Sequence, residues 1–201
     1  MTPHDLAQKI TACGAGADRF IVGVAGPPGA GKSTLAGQIA KSIGADARVV
    51  PMDGFHYDNV VLDRLGLRAR KGAPETFDAL GFVHLMRRLR AGQDAAMPVF
   101  DRDADLARAG ADLVTGAHKY LIVEGNYLLL NEQPWDDLAP LFDLTVFIDV
   151  PEAELDRRLV DRWHHHGKSA TEARHWIDSN DMPNIRRVVG GSRQADIVIK
   201  D

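Results

Sequence analysis

Lys32 and Ser33 close the run Gly26-Pro27-Pro28-Gly29-Ala30-Gly31-Lys32-Ser33, which has the spacing G-x-x-x-x-G-K-S and is followed by Thr34. The glycines let successive backbone N–H groups turn into one concavity, and a helix starting near Lys32 adds the positive end of its dipole. In such a nest Lys32 reaches the β- and γ-phosphates of a nucleoside triphosphate, and the Ser33 hydroxyl takes one place on Mg²⁺. The flanks suit the motif. Phe20, Ile21, Val22 and Val24 form an apolar, β-branched strand pattern before it. Leu35, Ile39, Ala40 and Ile43 mark one face of a helix after it, stopped by Gly44. An ordinary Gly/Pro turn has no use for Lys-Ser at a helix start. The expectation is an ATP-type site over Gly26 to Thr34.

Two carboxylates compete for the chemistry beside that loop. Asp53 follows the short apolar run Arg48–Met52 and precedes Gly54-Phe55-His56-Tyr57. There it could accept a hydroxyl proton or hold Mg²⁺; alternatively it is a turn-forming Asp, as many are before Gly. Glu124 ends Tyr120-Leu121-Ile122-Val123. A carboxylate closing a buried strand is costly without a cation, and its position is that of the second acidic residue supporting Mg²⁺ in phosphate-loop enzymes.

Arg157, Arg158 and Arg162 lie on a charged helical segment from Glu152 to His166. Arginines arriving from a lid neutralise charge on a transferring phosphoryl group; the plainer reading pairs Glu154, Arg158, Asp161 and Arg162 along a surface helix. His164, His165 and His166 point in different directions on a helix and cannot converge on one metal ion. Trp135, Trp163 and Trp176 read as packing residues.

The elements that would position these groups alternate. Helical spacing covers Thr2 to Cys13 and Asp78 to Ala91; strands are expected at Arg48–Met52, Met97–Asp105 (running into a charged loop), Tyr120–Glu124, Leu144–Val150 and Ala195–Ile199. Gly54 to Phe77 is irregular and long enough to be functional. The pattern predicts a single α/β domain over 1–201, a three-layer sandwich with a mainly parallel sheet and a small helical lid around 152–170. Ligands in such sheets sit outside the carboxyl ends of the strands.

The bulk properties narrow the class. The 201 residues are 45% hydrophobic and 26% charged with a net charge of −4, enough for one core and no argument for nucleic acid or an anionic membrane as partner. The single cysteine, Cys13, can form no internal disulfide. The N-terminus lacks a signal pattern, so the expected location is cytoplasmic. The oligomeric state stays open, a homodimer included.

The ordered set GPPGAGKS, MDGFHYDN, RKGAPETFD, MPVFDRD, IVEGNYLLL and NDMPN…SRQADIVI resembles the kinase superfamily of uridine kinase, phosphoribulokinase and bacterial pantothenate kinase. Within it the chain most resembles the small bacterial branch labelled nucleoside/nucleotide kinase-like or fructose transport-system kinase. The resemblance covers Phe20 to Ile199 and implies a P-loop kinase fold using ATP and Mg²⁺. It implies that Asp53 is the catalytic base, Glu124 the strand-end acid with Ser33 at the metal, and Arg158 and Arg162 the phosphate-embracing lid arginines. It places Phe55, His56, Tyr57, Asn126 and Asn184 on the substrate side, matches Asn180 to an asparagine of the C-terminal segment, and puts Arg193 near the adenine. The chain departs where relatives read their acceptors. Phe100, Arg102 and Asp105 stand where pantothenate kinases and uridine kinases carry Tyr and His. Asp101-Arg102-Asp103-Asp105 suits a small polyhydroxylated or anionic substrate, or else lines a solvent loop.

The expected function is phosphoryl transfer from ATP to a hydroxyl of a small metabolite, with a sugar as the expected acceptor. Pantothenate or nucleoside phosphorylation is the near alternative, and a nucleotide-dependent switch or coupling ATPase the distant one. Neither an Asn-Lys-x-Asp nor a Leu-Ser-Gly-Gly run is present to support the latter.

Overall fold

The computed structural model describes residues 1–201. Five strands form the main sheet: β1 (Phe20–Ala25), β2 (Ala47–Pro51), β5 (Tyr120–Gly125), β6 (Leu144–Asp149) and β7 (Ile197–Lys200). Their order is β2-β5-β1-β6-β7 and every pairing is parallel. The two central strands, β1 and β5, are buried along their whole length. That explains their continuous apolar runs, because a parallel sheet is covered on both faces.

Alternation along the strands divides the core. Ile21 of β1 and Leu121 and Val123 of β5 face one layer, where helix α4 (Ala79–Arg90) contributes Phe82, Val83, Met86 and Leu89. Val22, Val24 and Ile122 face the other. There they meet Leu6 and Ile10 of α1 (Pro3–Cys13), Ile39 of α2 (Lys32–Ile43) and Leu155 and Leu159 of α5 (Glu152–His165). The expected three-layer α/β arrangement is therefore the observed one.

Register brings the site together. Val24 and Pro51 both lie opposite Glu124, and Ala25 lies opposite Gly125. The loop after β1, the turn after β2 and the end of β5 thus emerge at one edge of the sheet. Asp53 is not at the strand end itself but in a 3₁₀ turn, Met52–Phe55.

Several elements differ from the sequence expectation. The short strand running into a charged loop is present as β3 (Ala95–Asp101) and the turn after it, but an unexpected strand follows: β3 and β4 (Leu106–Val114) form an antiparallel ribbon separate from the main sheet. Most of β4 is exposed, so its sequence LARAGADLV carries no apolar alternation to betray a strand. The stretch read as irregular contains a short helix, α3 (Asn59–Leu65), capped by the Asp58 side chain on the Val60 N–H at 2.9 Å. After α5 come α6 (Ala170–Trp176), a π-helical turn (Ile177–Asp181) and α7 (Met182–Gly191). No helix is long and apolar enough to cross a membrane.

Candidate active site

A cleft of about 1140 Å³ runs along the carboxyl edge of the sheet, between the β3–β4 ribbon and the helices after β6. Pro28, Gly29, Gly31, Lys32, Ser33 and Thr34 line one end of it. Gly31 caps α2 in the left-handed conformation (φ 84°), which a side chain would strain. Gly26, Pro27 and Ala30 are buried behind this surface and shape the turn. The Lys32 ammonium donates to the Pro27 carbonyl at 2.9 Å. Burial pushes its pKa down to about 8, against the pull of the Glu124 and Asp53 carboxylates.

Glu124 is 5% exposed. Burial and the neighbouring Asp53 charge both push its carboxyl up, while Lys32 and a hydrogen bond from Ser33 pull it down. The Ser33 hydroxyl and two carboxylates therefore meet one lysine at the floor of the cleft, with Lys32 and Glu124 buried and Ser33 open to it. That donor set is all oxygen and short of positive charge, which fits a hard divalent cation. No group of three or more His, Cys, Asp or Glu side chains forms a protein-only metal cage.

Asp53 also carries the floor of the neighbouring subsite. Its Oδ2 accepts from Arg102 Nη2 at 2.9 Å. The His56 ring lies between Phe77 and Phe100, with ring centroids at 3.9 Å and 4.8 Å. His56 Nδ1 sits 2.8 Å from the Asp53 carbonyl. A carbonyl only accepts, so Nδ1 carries the proton and Nε2 is left as an acceptor. Burial pushes the His56 pKa down, which keeps the ring neutral.

The far wall is built by α5 and α6. Arg158 is occupied: Nε donates to Glu154 at 2.7 Å and Nη2 to Asp201 at 2.8 Å. Arg157 points to Glu154 and Asp161. The Arg162 guanidinium forms neither a hydrogen bond nor an ion pair and lies over the Trp163 ring at 5.4 Å. Burial, and then Arg102 across the cleft, push its pKa down. Lys168 stands over both Trp163 (5.3 Å) and Trp176 (5.4 Å), whose rings meet edge-on at 5.8 Å. Trp163 Nε1 donates to Asp181 at 2.7 Å, and burial raises the Asp181 pKa to about 6.

A phosphate loop with a strand-end acid and a second carboxylate in reach is common to many nucleotide enzymes; the remainder of the sequence decides among them. Residues 21–201 match the phosphoribulokinase/uridine kinase family. The chain belongs to that family. It is an ATP-dependent kinase of small molecules. It is 37% identical over 195 residues to the "Putative uridine kinase C227.14" of Schizosaccharomyces pombe, covering 90% of this chain and 83% of that protein. It is 31% identical over 153 residues to the pantothenate kinase of Streptococcus pneumoniae, covering 72% of this chain and 49% of that enzyme. The crystal structure of a "putative fructose transport system kinase" from Silicibacter sp. TM1040 superposes with a TM-score of 0.93 at 40% identity, covering 99% of both chains.

The kinase's cleft contains most but not all of the expected residues. Asp53, His56, Phe100, Arg102, Glu124, Asn126, Arg158, Arg162 and Asn184 line it. Phe55 does not: its ring packs edge-on against Phe82 in the core at 5.1 Å. Tyr57 faces a separate groove of about 320 Å³ with Phe77 and Trp135. Consecutive side chains of a 3₁₀ turn fan out at about 120°, so Asp53 and Phe55 cannot share a direction. Arg193 also lies outside the cleft; both its Nη atoms are buried without a hydrogen-bond partner. Trp163 and Trp176 pack on each other as expected of packing residues, yet they also line the cleft.

Other cleft residues escaped the sequence reading. Lys71 donates to Asp105 Oδ1 and Asn59 Oδ1, both at 2.7 Å, and lies 5.2 Å over Phe100. It thereby ties the ribbon tip to the loop after α3. Arg70 reaches Asn180 (3.0 Å) and Asn184 (3.2 Å), and Asn180 donates back to the Lys71 carbonyl at 2.8 Å. The RKG of the loop was a signal only in its charge. The asparagine partners of Arg70 lie more than a hundred residues away, and those of Lys71 lie 12 and 34 residues away.

Proposed function

We propose that this kinase transfers the γ-phosphoryl group of MgATP to a hydroxyl of a small polyhydroxylated metabolite, a sugar or sugar derivative. The observation that carries the reading is the placement of the Asp53 carboxylate in one cleft with Lys32, Glu124 and an unpaired Arg162. ATP lies along Gly29 to Thr34, with Lys32 on its β- and γ-phosphates. Asp53 orients the acceptor hydroxyl and takes its proton as the oxygen attacks phosphorus and ADP leaves. Ser33 and Glu124 would hold Mg²⁺, which would supply neutralisation of the phosphate charge.

Of the two lid arginines expected at the phosphates, Arg162 is the better placed because Arg158 already serves two carboxylates. Arg158 instead braces α5 against the C-terminus. The acceptor lies among His56, Phe100, Arg102, Asn126 and Asn184. A sugar class draws support from the polar composition of this wall and from the name carried by the Silicibacter relative.

Most of the rate is positioning and electrostatics. Asp53→Asn is expected to lower kcat at least a hundredfold while ATP affinity stays within about threefold. Turnover within a few-fold of wild type in that variant would remove Asp53 from the role of base.

A further inference from the structure

Asp53 has to be free to accept a proton, yet its carboxylate is engaged. Arg102 Nη2 donates to it at 2.9 Å, and Asp53 is the only ion-pair partner Arg102 has. Arg102 stands at the tip of the ribbon, in the four-residue turn between β3 and β4, with its side chain 47% exposed. The tip itself is anchored elsewhere. Asp105 closes the turn in a left-handed conformation (φ 52°) and is held by Lys71 and Asn59. The Arg102 side chain can therefore swing without the ribbon moving. On the opposite wall the free Arg162 faces the same carboxylate.

Arg162 also has Asp181 beside it, so once Asp53 engages a hydroxyl it is Arg102 that is left without a carboxylate. The triphosphate answers Lys32 and Arg162. It leaves Arg102 unanswered.

We infer that Arg102 is the acceptor-specificity residue of this kinase: it binds an anionic group, carboxylate or phosphate, on the hydroxyl-bearing substrate, and by leaving Asp53 to do so it releases the base. This rests on the kinase reading above and narrows its substrate class. In the resting enzyme the Arg102–Asp53 pair keeps the carboxylate from activating water. When the acceptor's anion takes the guanidinium, Asp53 Oδ2 accepts the acceptor's hydroxyl proton. The hydroxyl oxygen then bonds to the γ-phosphorus, the bond from that phosphorus to the β,γ-bridging oxygen breaks, and its electron pair leaves with ADP. Arg is suited to the exchange because its planar fork binds carboxylate and phosphate alike, in two parallel hydrogen bonds.

The test measures ADP release by wild type, Arg102→Ala and Arg102→Lys with MgATP and matched acceptors. The acceptors are three- to six-carbon sugars and polyols, the aldonates of the same chain length, and the corresponding sugar phosphates. Wild type is expected to show kcat/KM at least tenfold higher for charged members than for their neutral counterparts; the aldonate and phosphate arms tell which anion is read. Arg102→Ala is expected to lose that advantage, kcat/KM falling at least tenfold further for charged acceptors than for neutral ones, with acceptor-free ADP release raised several-fold. Arg102→Lys should recover part of the preference. ATP affinity, measured by calorimetry, should be unchanged in both variants and reports that they are folded.

Acceptor-dependent release without a charge preference would overturn the role of Arg102 and leave the kinase reading standing. An equal loss on charged and neutral acceptors in Arg102→Ala would do the same, making Arg102 a support for Asp53 alone. Release identical in every well, with or without acceptor, would overturn both.

Discussion

Lys32 shows how an individual side chain sets a pH limit. Burial lowers its pKa to about 8 from the usual 10.5, so the free enzyme loses the ammonium as pH rises through 8. kcat/KM for ATP is expected to fall about tenfold per pH unit above that point. A profile flat to pH 9.5 would contradict it. Asp181 runs the other way. Its pKa of about 6 stands above the unfolded value of 3.8, so the native state binds the proton more tightly than the unfolded chain. Its contribution to stability is full below pH 3.8 and is lost as pH rises through 6. Asp181→Asn keeps an acceptor for Trp163 and removes the buried charge. It should stabilise the protein by about 2–3 kcal/mol at pH 8 and not at all near pH 3.5, as thermal unfolding at the two pH values would show. Legibility at this scale followed chain proximity. Lys32, Ser33, Asp53 and Glu124 announce themselves because each sits at a fixed offset from a strand. Lys71 does not, because its partners Asn59 and Asp105 come from other segments. Phe55 and Tyr57, placed on the substrate side only by the resemblance, point into the core and into a separate groove.

Among the elements, the ribbon supplies the wall that the proposed reading assigns to the acceptor. Its contact with the Asp53 turn is close: a Cβ on Gly54 would come within 2.2 Å of the Pro98 carbonyl oxygen. Backbone cannot yield there as a flexible side chain would. Gly54→Ala is expected to cost about 1–3 kcal/mol of stability and to raise the acceptor KM more than the ATP KM, since the phosphate loop lies on a different connection. Equal effects on both constants would contradict that division. The sheet was legible because β1 and β5 are buried on both faces and read as unbroken apolar runs. The ribbon was half legible: β3 has buried Ala95 and Met97, whereas β4 is largely exposed and carries small residues. Helices α6 and α7 are short or begin in a π-helical turn, so their periodicity is too brief to stand out.

Across the whole molecule, charge is distributed against the average. The chain carries a net −4, yet seven cationic side chains and five carboxylates line the cleft. A concave, locally positive site on a negative protein draws anionic ligands toward the phosphate loop and away from the rest of the surface. The two walls are joined by the loop from Arg70 to Gly72. Arg70 and Asn180 link it to the segment after α6, Lys71 links it to the ribbon, and the Tyr127 hydroxyl donates to the Gly72 carbonyl at 2.5 Å. The ribbon and the segment after α6 therefore share one hydrogen-bonded frame across the cleft from the phosphate loop. The central claim is transfer to an acceptor hydroxyl. The direct measurement is ³¹P NMR of a reaction containing the full-length protein, MgATP and the matched acceptor panel, with an acceptor-free control. The account predicts a new phosphomonoester resonance, growing in step with ADP, for one acceptor class and absent with Asp53→Asn. Inorganic phosphate as the sole product, formed at the same rate with and without acceptor, would contradict it.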